Sequence, residues 1–148
     1  MELDDGRLGL IDFGQTKKLT EKERLQYARV VASVGNKSDS RVIADFMRQA
    51  GFSSKTDDDY TLAEYAGLFF DSDHISREKG YATPQHYFQH LMETDPLTKI
   101  PNSAIMVARC SLLFRGAGSA LNSQVQTCKY WRQHANQALA AAAEKCKL

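Results

Sequence analysis

The chain has 148 residues, 43% hydrophobic and 25% charged, with 19 Lys and Arg against 18 Asp and Glu. That length suits one domain with a real core, and the apolar content excludes a disordered chain. A formal net charge of +1 removes the electrostatic case for nucleic acid, and three cysteines make no disulfide framework. No stretch approaches the ~20 apolar residues of a membrane span.

Met1-Glu2-Leu3-Asp4-Asp5-Gly6 has neither the apolar run of a secretory signal nor the Arg/Ser pattern of a transit peptide, so no targeting segment is read here. Asp4-Asp5-Gly6 is a tight-turn signal, and Leu8-Gly9-Leu10-Ile11 follows as a short buried strand, together predicting an N-terminal β-hairpin. A hairpin alone is unstable and needs a surface to pack on.

From Thr20 the pattern is helical. Thr20 and Glu23 form a capping box, after which Tyr27, Val30, Val31 and Val34 share one helix face up to a stop at Gly35. A second helix carries Val42, Ile43, Phe46 and Met47 and ends at Gly51. Ser53 to Asp59 reads as a polar, acidic loop.

Thr61 and Glu64 make a second capping box, opening a helix with Leu62, Tyr65, Ala66, Phe69 and Phe70. Asp71 to Gly80 is a turn-rich connection, and Thr83-Pro84 starts a helix that buries Tyr87, Phe88, Leu91 and Met92. Asp95-Pro96 and Ile100-Pro101 punctuate a loop. Ile105 to Arg115 is helical, broken or thinned by Gly116 and Gly118, and a last helix runs from about Gln124 to Lys145. The expected fold is mainly α, a short N-terminal hairpin followed by about six helices.

The sharpest chemical signal is Leu10-Ile11-Asp12-Phe13-Gly14. An apolar strand leading into Asp-Phe-Gly is how a protein-kinase fold presents a carboxylate to Mg²⁺ that bridges nucleotide phosphates. The bland alternative is a strand-to-loop transition in which Asp12 caps the next segment. Only eight positions separate Asp12 from Thr20, and no Ala-Pro-Glu occurs, which disfavours an ordinary protein kinase with its long activation segment.

Two blocks carry a family resemblance. Gly6-Arg7-Leu8-Gly9-Leu10-Ile11-Asp12-Phe13-Gly14-Gln15 and Arg109-Cys110-Ser111-Leu112-Leu113-Phe114-Arg115-Gly116-Ala117-Gly118 resemble the UbiB family of atypical kinases, also called aarF-domain-containing kinases. The middle of the chain matches by pattern more than by letters. The resemblance implies a partial kinase-like domain over 1–148, with a motif-bearing hairpin at 1–19 and a helical C-terminal lobe at 20–148. It implies Mg²⁺ and ATP in an intact parent, with Asp12 as metal ligand and Phe13 and Gly14 as members of the same motif. It further implies a link to isoprenoid quinone and lipid metabolism, a mitochondrial or plastid setting, and peripheral membrane or lipid association.

The nucleotide-covering loop, the phosphate-pairing lysine with its glutamate and the catalytic loop are not found within the 148 residues, so no catalytic residue is assigned. Phosphoryl transfer needs several groups positioned together, and the chain alone is expected neither to turn over ATP nor to bind it tightly. Its expected partner is the remaining N-terminal part of a kinase domain, or a second copy. The competing reading is a non-catalytic helical scaffold or interaction module.

The remaining candidates have bland readings. His86 and His90, four apart on a predicted helix, could chelate a transition metal but read as a solvated edge. Asp71, Asp73 and His74 read as turn chemistry, and Asp57-Asp58-Asp59 as a solvated acidic loop. Cys110, Cys128 and Cys146 read as buried or incidental thiols, and Lys17-Lys18 makes no patch. Arg115 could pair with an acidic group of a kinase core or contact a partner, but reads as a cation at the end of its own helix.

Overall fold

A computed structural model describes residues 5–7, 16–72 and 74–145. Among them the chain is mainly helical, as expected, with α1 (Glu21–Gly35), α2 (Ser40–Gln49), α3 (Asp59–Phe70), α4 (His74–Glu78), α5 (Pro84–Thr94), α6 (Asn102–Ala120) and α7 (Thr127–Lys145). Two short strands, β1 (Ser53–Ser54) and β2 (Leu97–Lys99), pair antiparallel.

The predicted strand Leu8–Ile11 lies outside the described residues. Of the predicted turn, Asp5 to Arg7 are described: Gly6 has φ +78°, and the Asp5 carboxylate accepts from the Arg7 backbone at 3.1 Å and its guanidinium at 2.8 Å. The sheet that the described residues do form joins two segments that the sequence predicts as separate loops. Neither segment has strand periodicity. A backbone bond from Lys55 N–H to the Pro96 carbonyl and the shared partner Asp95 join them instead.

The predicted helix starts are partly confirmed. At α1 the Thr20–Glu23 capping box forms with both reciprocal bonds, at 3.2 and 2.8 Å. At α5 Thr83 caps the His86 N–H and Pro84 opens the helix. At α3 the expected Thr61–Glu64 box does not form. Asp58 caps instead, accepting from Thr61 N–H at 2.8 Å, so the helix starts at Asp59. An ionised carboxylate at the positive end of a helix outcompetes a hydroxyl further along.

Three other boundaries differ. The Asp71 to Gly80 connection contains the short α4, and α7 begins at Thr127. Gly116 and Gly118 do not interrupt α6, which continues to Ala120. At the end of α2, Gly51 has φ +97°, the left-handed conformation that a helix C-terminus asks of glycine.

The core is built around α3, which packs against α1, α2, α5 and α6. Leu62, Tyr65, Ala66, Leu68 and Phe70 of this helix are all buried. A helix apolar on nearly all sides has to sit inside the protein. Phe52, Tyr65, Phe69, Phe70 and Phe88 form an aromatic cluster with centroid distances of 5.8–6.3 Å.

Helix α7 runs antiparallel to α1. Arg132 near its start donates to the Gly35 carbonyl at 3.0 Å, while Lys145 at its end lies close enough to Glu21 to act on its charge. Among the described residues no helix is long and apolar enough to cross a membrane.

Candidate functional site

Asp12, Phe13 and Gly14, expected as the Mg·ATP motif, lie outside the described residues. Among the described residues no group of three or more His, Cys, Asp or Glu side chains is placed to hold a metal ion. His86 and His90 are exposed, and the His90 ring stacks near Tyr81 at 5.3 Å.

The second resemblance block leads to a buried polar joint. Arg115 is only 3% exposed, and its Nη1 donates to the Leu68 carbonyl at 2.7 Å, with Ser111 Oγ at 3.5 Å. The expectation that Arg115 serves the end of its own helix is corrected here. Helix α6 runs on for more than a turn beyond it, and the guanidinium instead meets the negative end of α3.

From Ser111 the network continues to Thr127 Oγ1 at 2.8 Å, which reaches the Asp71 carbonyl at 2.9 Å. The Asp71 carboxylate accepts from Cys128 N–H at 3.3 Å, and Cys128 Sγ donates to the Phe70 carbonyl at 3.1 Å. Burial raises Asp71 above the usual carboxylate range, although Cys128 N–H and Arg115 draw it part of the way back. Burial also pushes the Cys128 thiol up, helped by the Asp71 charge. Cys110 is exposed, and Cys146 lies outside the described residues.

Asp71 stands beside Asp73 and His74 in the sequence, a pattern that predicts turn chemistry. In the structure it serves the α3–α7 joint, while Asp73 and the His74 side chain are outside the described set. The acidic run is also more than a solvated loop. Arg48 Nε donates to Asp57 at 2.9 Å and its Nη2 to Asp59 at 2.6 Å, leaving Asp58 to cap α3.

Sequence reading missed two features. The first is Asp95, buried beneath the sheet, whose carboxylate accepts from Ser54 Oγ at 2.6 Å and Thr56 N–H at 2.7 Å. Burial pushes its carboxyl up, but these donors outweigh burial and leave it below its ordinary value. The neighbouring Tyr65 hydroxyl is pushed up to about 12 by burial and the Asp95 charge.

The second is the orientation of α6. Its buried face holds Ala104, Ser111, Arg115 and Gly118, whereas Ile105, Leu112, Leu113 and Phe114 are half or more exposed, continued by Leu121 at the C-cap. That is the inverse of an ordinary surface helix. The spacing of the small and polar residues at 104, 111, 115 and 118 was the available signal.

Two clefts flank Arg115. A polar one of about 280 Å³ lies between Ser72 and Arg77 on one side and the α6–α7 connection on the other. An apolar one of about 300 Å³ is lined by Leu68, Phe69, Pro84, Phe88 and Leu112. No family model, no curated protein and no solved structure matches this chain.

Proposed function

We propose that this chain is the C-terminal helical part of a UbiB-type kinase-like domain, whose Asp12 holds Mg·ATP in the intact protein. Asp-Phe-Gly followed within eight residues by a capped helix, with no Ala-Pro-Glu, supports the reading. The observation that carries it furthest is the outward apolar face of α6. Five large apolar side chains, each half or more exposed along one helix and its C-cap, exceed the scattered exposure usual in a self-sufficient domain. That face fits burial against the rest of such a domain.

In this reading the complete protein acts on ATP, and the groups that cradle its phosphates belong to the rest of the kinase-like domain. Sequencing the transcript ahead of the Met1 codon is the direct test, with a kinase-type catalytic loop as the expected result. The complete product then binds Mg·ATP and loses that affinity in Asp12→Ala. Millimolar or tighter ATP binding by the 148-residue chain, lost in Asp12→Ala, overturns the inactivity of this part.

The same α6 face favours a second reading, a helical interaction module. In-frame stop codons ahead of Met1, together with concentration-dependent association that ignores Mg·ATP, would select it.

A further inference from the structure

We propose that the outward face of α6 receives an amphipathic partner helix whose apolar side is flanked by carboxylates. The inference rests on the reading above in one respect, that this face is covered in the working protein.

Charge is spread unevenly along the chain. From Pro96 to Ala143 there is no Asp or Glu, whereas Lys99, Arg109, Arg115, Lys129 and Arg132 fall within that stretch. All 18 acidic residues stand outside it, where they outnumber Lys and Arg. The stretch holds α6 and nearly all of α7, so the helix that exposes its large apolar side chains belongs to the cationic part of the chain.

The face itself suits a helix. Steps of about 100° per residue put Leu112 and Phe114 at its two edges and Leu113 at its centre, opposite the buried Ser111, Arg115 and Gly118. Arg109, Gly116, Ala117 and Ala120, all exposed, fall between those edges. A methyl group at Gly116 meets nothing within 4 Å, so a second backbone can come close there. At the Leu112 edge the apolar cleft of about 300 Å³ opens over Leu68, Phe69 and Phe88, with room for one large apolar anchor.

Charge decides between occupants. Two copies paired through this face bring cations together with no carboxylate on either α6, so they associate only weakly. A membrane-surface helix carries a strongly basic polar side, whereas the side of α6 away from its apolar face is buried in the protein. A partner helix with Asp or Glu beside its apolar residues meets both the apolar surface and Arg109.

The test is fluorescence-anisotropy titration of the 148-residue chain into two labelled helical peptides, each about 20 residues long to match α6. One carries a leucine face flanked by glutamate, the other the same face flanked by lysine. Saturable binding of the glutamate peptide is expected, about tenfold tighter than the lysine peptide and weakening as NaCl rises. Arg109→Glu should weaken it about tenfold, and Arg41→Glu, at an exposed arginine on α2, should leave it unchanged. Leu113→Gln with Phe114→Gln should abolish it without moving the melting temperature. Equal affinity for the two peptides, or none for either, overturns the proposal. So does self-association tighter than peptide binding, which assigns the face to a second copy. Tighter binding to phosphatidylglycerol vesicles overturns it too, in favour of a lipid surface. The transcript ahead of Met1 tests the kinase-like reading separately, so the failure of one is distinguishable from the failure of the other.

Discussion

The Asp95 carboxylate and the Ser54 hydroxyl meet at 2.6 Å although 41 positions separate them in the chain. This buried contact, with the Thr56 N–H bond beside it, locks the β1 segment to the end of α5. It places the two-stranded sheet where neither segment has a strand pattern.

Replacing Asp95 with Ala leaves buried donors without an acceptor, at a cost of about 2–4 kcal/mol. Urea unfolding at pH 7 should show that loss. The same contact sets a pH dependence. Asp95 lies below its ordinary value when folded, so its stabilisation is present above the unfolded value of ~3.9 and is lost as pH falls through the folded value. Asp71 has the opposite sign: raised when folded, it costs stability as pH climbs from the unfolded value through the folded one. Urea midpoints measured from pH 2 to 7 should lose part of the acid limb in Asp95→Asn. In Asp71→Asn the decline on the rising side should disappear.

Arg115→Met removes the donor to the Leu68 carbonyl and the cation that faces the end of α3. The expected loss is about 3 kcal/mol, far more than surface arginines contribute. Arg41→Gln is the comparison, with a change within about 0.5 kcal/mol in the same urea experiment.

Two glycines of α6 should respond with opposite signs. A methyl group at Gly116 meets nothing within 4 Å, so Gly116→Ala should stabilise the helix by about 0.5–1 kcal/mol. At Gly118 the same atom would run into Val125 Cγ2 and stand 2.8 Å from the Ser123 carbonyl. Gly118→Ala should therefore destabilise by about 1–3 kcal/mol, read as opposite shifts in melting temperature.

Leu113→Glu combined with Phe114→Glu places two charges on the outward face of α6, where neither side chain is needed by the core. The parent chain should associate with rising concentration in light scattering after size exclusion. The double variant should run as a monomer with an unchanged melting temperature. A parent that stays monomeric at every concentration counts against a covered α6.

Amino-acid sequence alone determined the helical class of this protein and several of its boundaries. Thr20 with Glu23, and Thr83 before Pro84, act within one turn, so their caps are legible without a fold. Tyr27, Val30 and Val31, spaced as one helix face, all reach the core for the same local reason.

Tertiary structure decided the rest. Asp95, Arg115 and Asp71 take partners from distant elements, and nothing in their neighbours along the chain states which carbonyl or amide they will meet. The facing of α6 was likewise set by what α3 and α7 leave available. Its small and polar residues can approach the α3 end and the α7 start closely and satisfy their backbone groups, and its leucines and phenylalanine cannot.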